Sequence, residues 1–308
     1  MQRIDDFFLK FSALIIIVSA VFYNMTLEHL LEHGYSSPSV LLYRGILTFT
    51  ITVVLSLKGR KRIIPQNIHL QWIRIVNSGV ALLLVFQSFK YLEATSVSMV
   101  QRLDIPFAVL IGFMTGQRKN DFRVGLSVFA CCLVLSIFFF AEHIGEKPLG
   151  LVLALIAVLQ VSIAYLLVKK SIGVENNFVI VNTTNIGCIL VGIISGLIFG
   201  NLNMVRIQDL WIFFIASITQ FLLNYTGSIL YRHSDVAIVQ RPYLISVLVI
   251  LIVEQIWDHR LFDLHHSGII ILVIAVIYLI TLKQSPGKKQ IAWIKNKMAK
   301  KETNQLLN

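Results

Sequence analysis

The sequence predicts an all-α integral membrane protein, with ten transmembrane helices arranged as two inverted five-helix repeats. Three observations carry that expectation. Apolar residues make up 56% of the 308-residue chain and charged ones 14%, with a mean hydropathy of +0.76; soluble proteins carry about 25% charged residues. The apolar residues fall in long runs between short polar loops, each run long enough for roughly 30 Å of hydrocarbon. Positive charge is dense in every second loop and sparse in the others.

The runs lie at 10–26, 38–57, 69–89, 94–116, 124–141, 148–168, 178–200, 209–231, 235–256 and 267–282. Helices are the form expected, because lipid offers the backbone no hydrogen-bond partner and the alternation of a strand is absent. The first run begins at Lys10 and passes through Val18-Ser19-Ala20, which resembles a signal-peptide cleavage site. It stays apolar to Thr26, so a retained helix is expected. Lys58 to Arg62 separate the second and third runs, Arg118, Lys119 and Arg123 the fourth and fifth, and Lys169-Lys170 the sixth and seventh. With the N-terminus in the cytoplasm, nineteen of the 27 Lys and Arg residues fall on the cytoplasmic side, and four, Lys90, Lys147, Arg206 and Arg260, on the other. Arg44, Arg74, Arg102 and Arg241 lie within spans. Residues 1–141 form the first repeat and 148–282 the second. Residues 283–308 form a basic cytoplasmic tail, with Ile291, Ile294 and Met298 on one face, suited to an anionic leaflet. Five helices per half set the second half upside down relative to the first.

Much is excluded. Cys131, Cys132 and Cys188 fall within spans as reduced packing residues. His29/His33 and His265/His266 lack the further ligands a metal needs, so no metal is expected. No phosphate-cradling Gly-Lys-Ser loop is present, no cofactor is implied, and no nucleophile–base pair suggests an enzyme. The net charge of +11 reflects topology and gives no nucleic-acid signal. Gly192, Gly196 and Gly200 have small-residue spacing that permits close helix contact, within the bundle or at a homodimer seam.

One word occurs twice. Val100-Gln101-Arg102 and Val239-Gln240-Arg241 lie 139 residues apart, at matching places in the two halves. A charge near the bilayer centre costs about 2.5–3.5 kcal/mol on insertion scales, and intramembrane charges mark substrate paths. Each arginine sits roughly 5–6 Å from the middle of its span, on opposite sides. The duplication points to an anion-binding site between the halves, with Arg102 and Arg241 gripping carboxylate or phosphate through planar guanidinium groups. Gln101 and Gln240 recur beside them. The alternative is that each arginine bonds carbonyls and polar side chains such as Gln101, Gln220, Asn224 or Gln240 and holds the bundle together.

The residues also resemble a family. Tyr91-Leu92-Glu93-Ala94-Thr95-Ser96-Val97-Ser98, followed by Ile105-Pro106, is similar to the fourth-helix signature of EamA-type carriers of the drug/metabolite transporter superfamily. Pro242 followed by Glu254 resembles the second copy, and Arg44 in Leu41-Leu42-Tyr43-Arg44-Gly45 resembles an arginine of that family's second helix. The resemblance covers the whole chain. It implies a carrier of small metabolites that needs no ATP; family substrates range over amino acids, amines, nucleotide derivatives and sugar phosphates. Gln117-Arg118 stands where the family usually has an acidic residue, and the repeated Val-Gln-Arg is not part of the general pattern.

Charge accounting completes the reading. Arg74, five residues from the cytoplasmic end of its span, is expected to snorkel to the headgroups. Asp104 is the one acid at the depth of Arg44, Arg102 and Arg241. On a continuous helix it lies about 200° from Arg102, which leaves Arg44 as its partner on a neighbouring helix. It is also the candidate proton-coupling carboxylate, since burial and a nearby arginine act on its protonation in opposite senses. Arg44 is a further substrate-binding candidate, and Tyr23, Asn24, Asn77, Gln160, Tyr165, Asn182 and Asn224 are candidates to line the cavity. The function expected is secondary transport of a small organic anion by alternating access across a bacterial-type inner membrane, with lipids as surroundings. Export of amino acids or amphipathic amines, and a non-transporting accessory role, are the alternatives.

Overall fold

The computed structural model describes residues 7–114, 125–133, 148–233, 239–257 and 264–282, which are helical with no strand among them. Helix α1 is Ser12–Glu32, α2 Ser37–Lys58 and α3 Ile68–Ser88. Next come α4 (Ala94–Gln101), α5 (Asp104–Met114) and α6 (125–133). The remainder are α7 (Pro148–Ser171), α8 (Asn177–Phe199), α9 (Leu210–His233, entered through a 3-10 turn at Ile207–Asp209), α10 (Arg241–Trp257) and α11 (Leu264–Leu282). Seven helical segments among the described residues are long and apolar enough to cross a membrane; Arg241–Val253 and Ile271–Ile280 are shorter apolar stretches. The chain is a multi-pass helical membrane protein. The Glu142–Lys147 connection, Gln117-Arg118 and the basic tail lie outside the described residues, as does the end of the fifth expected span.

Local chemistry sets the helix ends. Ser36, Asn67 and Asn176 cap α2, α3 and α8, each accepting from a backbone N–H three residues on (Ser39, Leu70 and Val179 at 3.3, 3.1 and 3.0 Å). Gly200 closes α8 with φ +61°, a left-handed conformation that favours glycine.

The fourth expected span differs from a continuous helix. It breaks at Arg102-Leu103, between α4 and α5. Pro106 is the cause: it has no N–H to give to the Arg102 carbonyl four residues back, and its ring crowds that carbonyl. The carbonyl takes Ile105 N instead, at 3.4 Å, and a short turn replaces the helical one.

The closest-packed pairs are α2 with α8, α3 with α7, α3 with α8, and α1 with α9. Every one joins a helix before residue 114 to a helix after residue 148. Glycines let these backbones touch. A Cβ on Gly79 would run into the Gly187 carbonyl, and one on Gly187 into the Ile75 carbonyl. A Cβ on Gly192 would sit 2.9 Å from the Leu42 nitrogen, and one on Gly196 would overlap Leu202, so these two positions of the seventh expected span pack within the chain. We therefore expect Gly187→Val to force α3 and α8 apart at a cost of about 1–3 kcal/mol or more, read as a lower melting temperature and less monodisperse protein in detergent.

Polar clasps tie the loops at both ends of this seam. At one end the buried Glu175 carboxylate accepts from Arg62 Nη2 at 2.7 Å and from the backbone N–H groups of Gln66 and Asn67 at 2.6 and 3.1 Å. Arg232, at the end of α9, donates to the carbonyls of Ile172 and Glu175 and to Asn177 Oδ1. At the other end the Tyr35 hydroxyl donates to Asp209 Oδ2 at 2.7 Å and accepts from Arg206 N at 3.0 Å. Asn203 completes that clasp, accepting from Ser36 N and donating from its own N–H to Ser39 Oγ.

Candidate functional site

A cavity of about 190 Å³ lies inside the bundle, walled by α1, α3, α4, α7, α8, α9 and α10 together with the α4–α5 turn. That is slightly more room than an engineered cavity of about 150 Å³ that takes benzene, so a small metabolite is the matching size. Apolar side chains such as Val85, Val158 and Leu223 form much of the wall. Its charged members are Arg74, Arg102 and Asp104, which sum to one positive charge.

Arg102 is 7% exposed and sits at the break between α4 and α5. Its guanidinium gives three long bonds, all to neutral oxygens: Nε to the Ser98 carbonyl at 3.3 Å, Nη2 to Gln101 Oε1 at 3.3 Å and Nη1 to Gln240 Oε1 at 3.4 Å. The Tyr243 ring lies 5.2 Å beneath it. Asp104 is within electrostatic reach of Arg102 and of Tyr165. The expected 200° separation fails because it presumes a continuous helix, and Pro106 breaks this one. Asp104 accordingly belongs with Arg102 and has no contact with Arg44.

Arg44 stands behind the cavity wall. It is fully buried and donates to the Tyr23 hydroxyl, to Gln220 Oε1 at 2.8 Å and to Cys188 Sγ at 3.4 Å, with the Phe86 ring 4.8 Å away. Tyr23 and Gln220 line the cavity, whereas Arg44 does not. It thereby ties together two wall residues, Tyr23 and Gln220.

Arg74 is also fully buried, contrary to the expected snorkelling, and lines the cavity. It donates to Gln71 Oε1 at 2.5 Å and to the Ile180 carbonyl at 3.1 Å. Depth alone suggested the headgroups; the face of α3 decides otherwise. Gln71, Arg74 and Ser78 follow one another at spacings of three and four, a polar stripe turned toward α7 and α8.

Arg241 does not share the chamber. It is half-buried, lies 5.9 Å from the Tyr278 ring of α11 and is absent from the cavity wall. The two copies of the word diverge because their prolines differ. Pro106 follows Arg102 by four residues and breaks a helix behind it, while Pro242 follows Arg241 directly and is accommodated in the first turn of α10.

Of the other candidates, Gln101, Tyr23, Asn24, Tyr165 and Asn224 line the cavity. Gln240 reaches it through Arg102. Asn77 instead donates to the Gln160 carbonyl at 2.8 Å and ties α3 to α7, and buried Asn182 lies off the wall. Sequence reasoning missed Ser78, Ser98, Thr184, Tyr231 and Tyr243. Five side-chain atoms of wall residues have no hydrogen-bond partner among the described residues: Asn24 Oδ1, Arg74 Nε, Ser98 Oγ, Asp104 Oδ1 and Asn224 Nδ2. Buried polar atoms are normally satisfied, and the same shortfall occurs off the wall, at Ser37, Arg44 Nε, Asn182 and Thr226.

These features define a class: a multi-span helical membrane protein with a small, mostly apolar chamber among its helices that holds a few charged and polar groups. No family model and no curated protein matches the chain. Its fold is similar to that of a solved protein described only as "Crystal structure of protein", at 14% identity and a TM-score of 0.62, covering 89% of this chain and 99% of that one. A likeness at that identity concerns the fold alone.

Proposed function

We propose that the protein is a secondary transporter of a small organic anion, a carboxylate or phosphate ester, built on the EamA-type plan. The observation that carries the reading is Arg102: a guanidinium inside a small chamber of net positive charge, bonded only to neutral oxygens at 3.3–3.4 Å. An anionic oxygen makes shorter bonds, roughly twice as strong.

The helix pairing supports ten spans in two inverted repeats with the site where they meet. Exchange each helix with its counterpart five spans away. The α2–α8 pair maps onto itself, α3–α7 onto α1–α9, α3–α8 onto α2–α9, and α7 with α4 and α5 onto α1–α10; all of these pairs are in contact. The loop charges support cytoplasmic termini in a bacterial-type inner membrane. Counterflow in proteoliposomes with labelled carboxylates and phosphate esters tests the reading. It fails if Arg102→Gln moves every anion as fast as the parent.

Asp104 in the same chamber favours a second reading, in which the cargo is a zwitterionic amino acid whose ammonium faces that carboxylate. Asp104→Asn separates the two. It should slow amino-acid exchange by about tenfold or more, the loss of one charged hydrogen bond, if the zwitterion is the cargo. Anion exchange should persist in that variant if the first reading holds.

A further inference from the structure

We propose that the Gln240 side chain is a stand-in ligand for Arg102, displaced by the anionic group of the cargo, and that its release frees α10 from α4. This rests on the anion reading above and adds a residue and a coupling step to it.

Bond lengths make the first part of the case. Elsewhere in the chain, arginines kept for architecture hold their side-chain partners tightly: Arg44 to Gln220 at 2.8 Å, Arg62 to Glu175 at 2.7 Å, and Arg232 to Asn177 at 2.7 Å. Arg102 holds Gln240 at 3.4 Å. A charged oxygen placed there would bond at about 2.7–2.9 Å and outcompete the amide. Nor does the nearest acid already fill that place. Asp104 is in electrostatic reach, yet the one ion pair within 4.0 Å among the described residues is Arg62–Glu175.

Position makes the second part. Gln240 is 1% exposed and immediately precedes α10, so its side chain is fixed relative to the start of that helix. Its Nε2 donates to the Tyr231 hydroxyl of α9 at 2.9 Å, which aims Oε1 at Arg102. Two contacts thus link α10 to the turn after α4 through one guanidinium: the Gln240 amide and the Tyr243 ring. When an anion takes Arg102 Nη1, the amide tie is lost, and the Tyr243 stacking and the direct packing of α10 on α4 remain. Occupancy of the chamber is thereby converted into looser contact between α4 and α10.

The test uses the full chain in detergent with two variants, Gln240→Ala and Gln240→Glu, and inorganic phosphate and acetate as probes in thermal-shift titrations. A stand-in predicts that Gln240→Ala binds the probes at least as well as the parent. Gln240→Glu, which plants a carboxylate on Arg102, should weaken them about tenfold or more. The opposite order, with Ala weakened and Glu unchanged, marks Gln240 as an ordinary structural or substrate-binding side chain and overturns the proposal. Hydrogen exchange without any added anion supplies the second readout: amides of α4 and the first turns of α10 should exchange faster in Gln240→Ala and slower in Gln240→Glu than in the parent. Unchanged exchange in both variants overturns the tie, whatever the probes do. A parent that answers neither probe while the exchange pattern holds overturns the anion reading and the displacement step, and leaves the tie standing.

Discussion

Arg102→Gln is expected to lower anion exchange in proteoliposomes by about a hundredfold, the equivalent of two charge-assisted hydrogen bonds of about 1.5 kcal/mol each. The folded protein should survive. The guanidinium's own bonds within the chain are long and go to neutral oxygens, so the fold loses little when they go. The decisive result is a pair of measurements: an unchanged melting temperature beside abolished exchange. Arg102→Lys should recover part of the rate, since the charge returns without the planar fork that grips two oxygens at once.

Arg44→Met should do the reverse. Removing this guanidinium strips the donor from the Tyr23 hydroxyl and from Gln220 Oε1, both buried against the cavity wall. It also takes the cation from between the Tyr23 and Phe86 rings. Each buried acceptor left without its donor costs about 1–3 kcal/mol, so a loss of roughly 3–5 kcal/mol follows once the poorer packing is included. That is a large share of what holds a typical domain folded. The yield of folded protein and its melting temperature should both fall, and whatever folds should transport slowly because two wall residues have lost their support. If Arg44→Met melts like the parent and loses transport alone, Arg44 touches the cargo and its assignment to architecture is wrong.

How far the sequence carries can be argued residue by residue. Helix positions were legible because hydrocarbon thickness imposes run length: the described helices fall within the expected runs or extend them by a few residues, and seven of the described segments are long and apolar enough to cross a membrane. Arg102, Gln101, Tyr23, Asn24, Tyr165 and Asn224 were legible as cavity residues because polar groups deep in a span need an aqueous or polar neighbour. Which way a side chain faces was not. Helices that are apolar on all sides, as most are here, carry little facial signal, so Arg74 was assigned by depth and turned out to face inward. The stripe Gln71–Arg74–Ser78 was the available clue. The equivalence of Arg102 and Arg241 was read from repeated letters, whereas the unequal proline spacing that separates them stood in the same two words. The Glu175 clasp escaped notice because a lone acid in a short loop reveals nothing until Arg62 and two N–H groups more than a hundred residues away converge on it.

The bare-glycine seam between α3 and α8 has a consequence for how the chain is made. Residues 79 and 187 meet backbone to backbone, yet more than a hundred residues must emerge from the ribosome between them. The early helices therefore enter the bilayer with their smoothest faces turned to lipid and wait for counterparts not yet synthesised. What reads as two tandem units along the sequence matures as one interlocked body, whose first half acquires its native neighbours only when the second arrives.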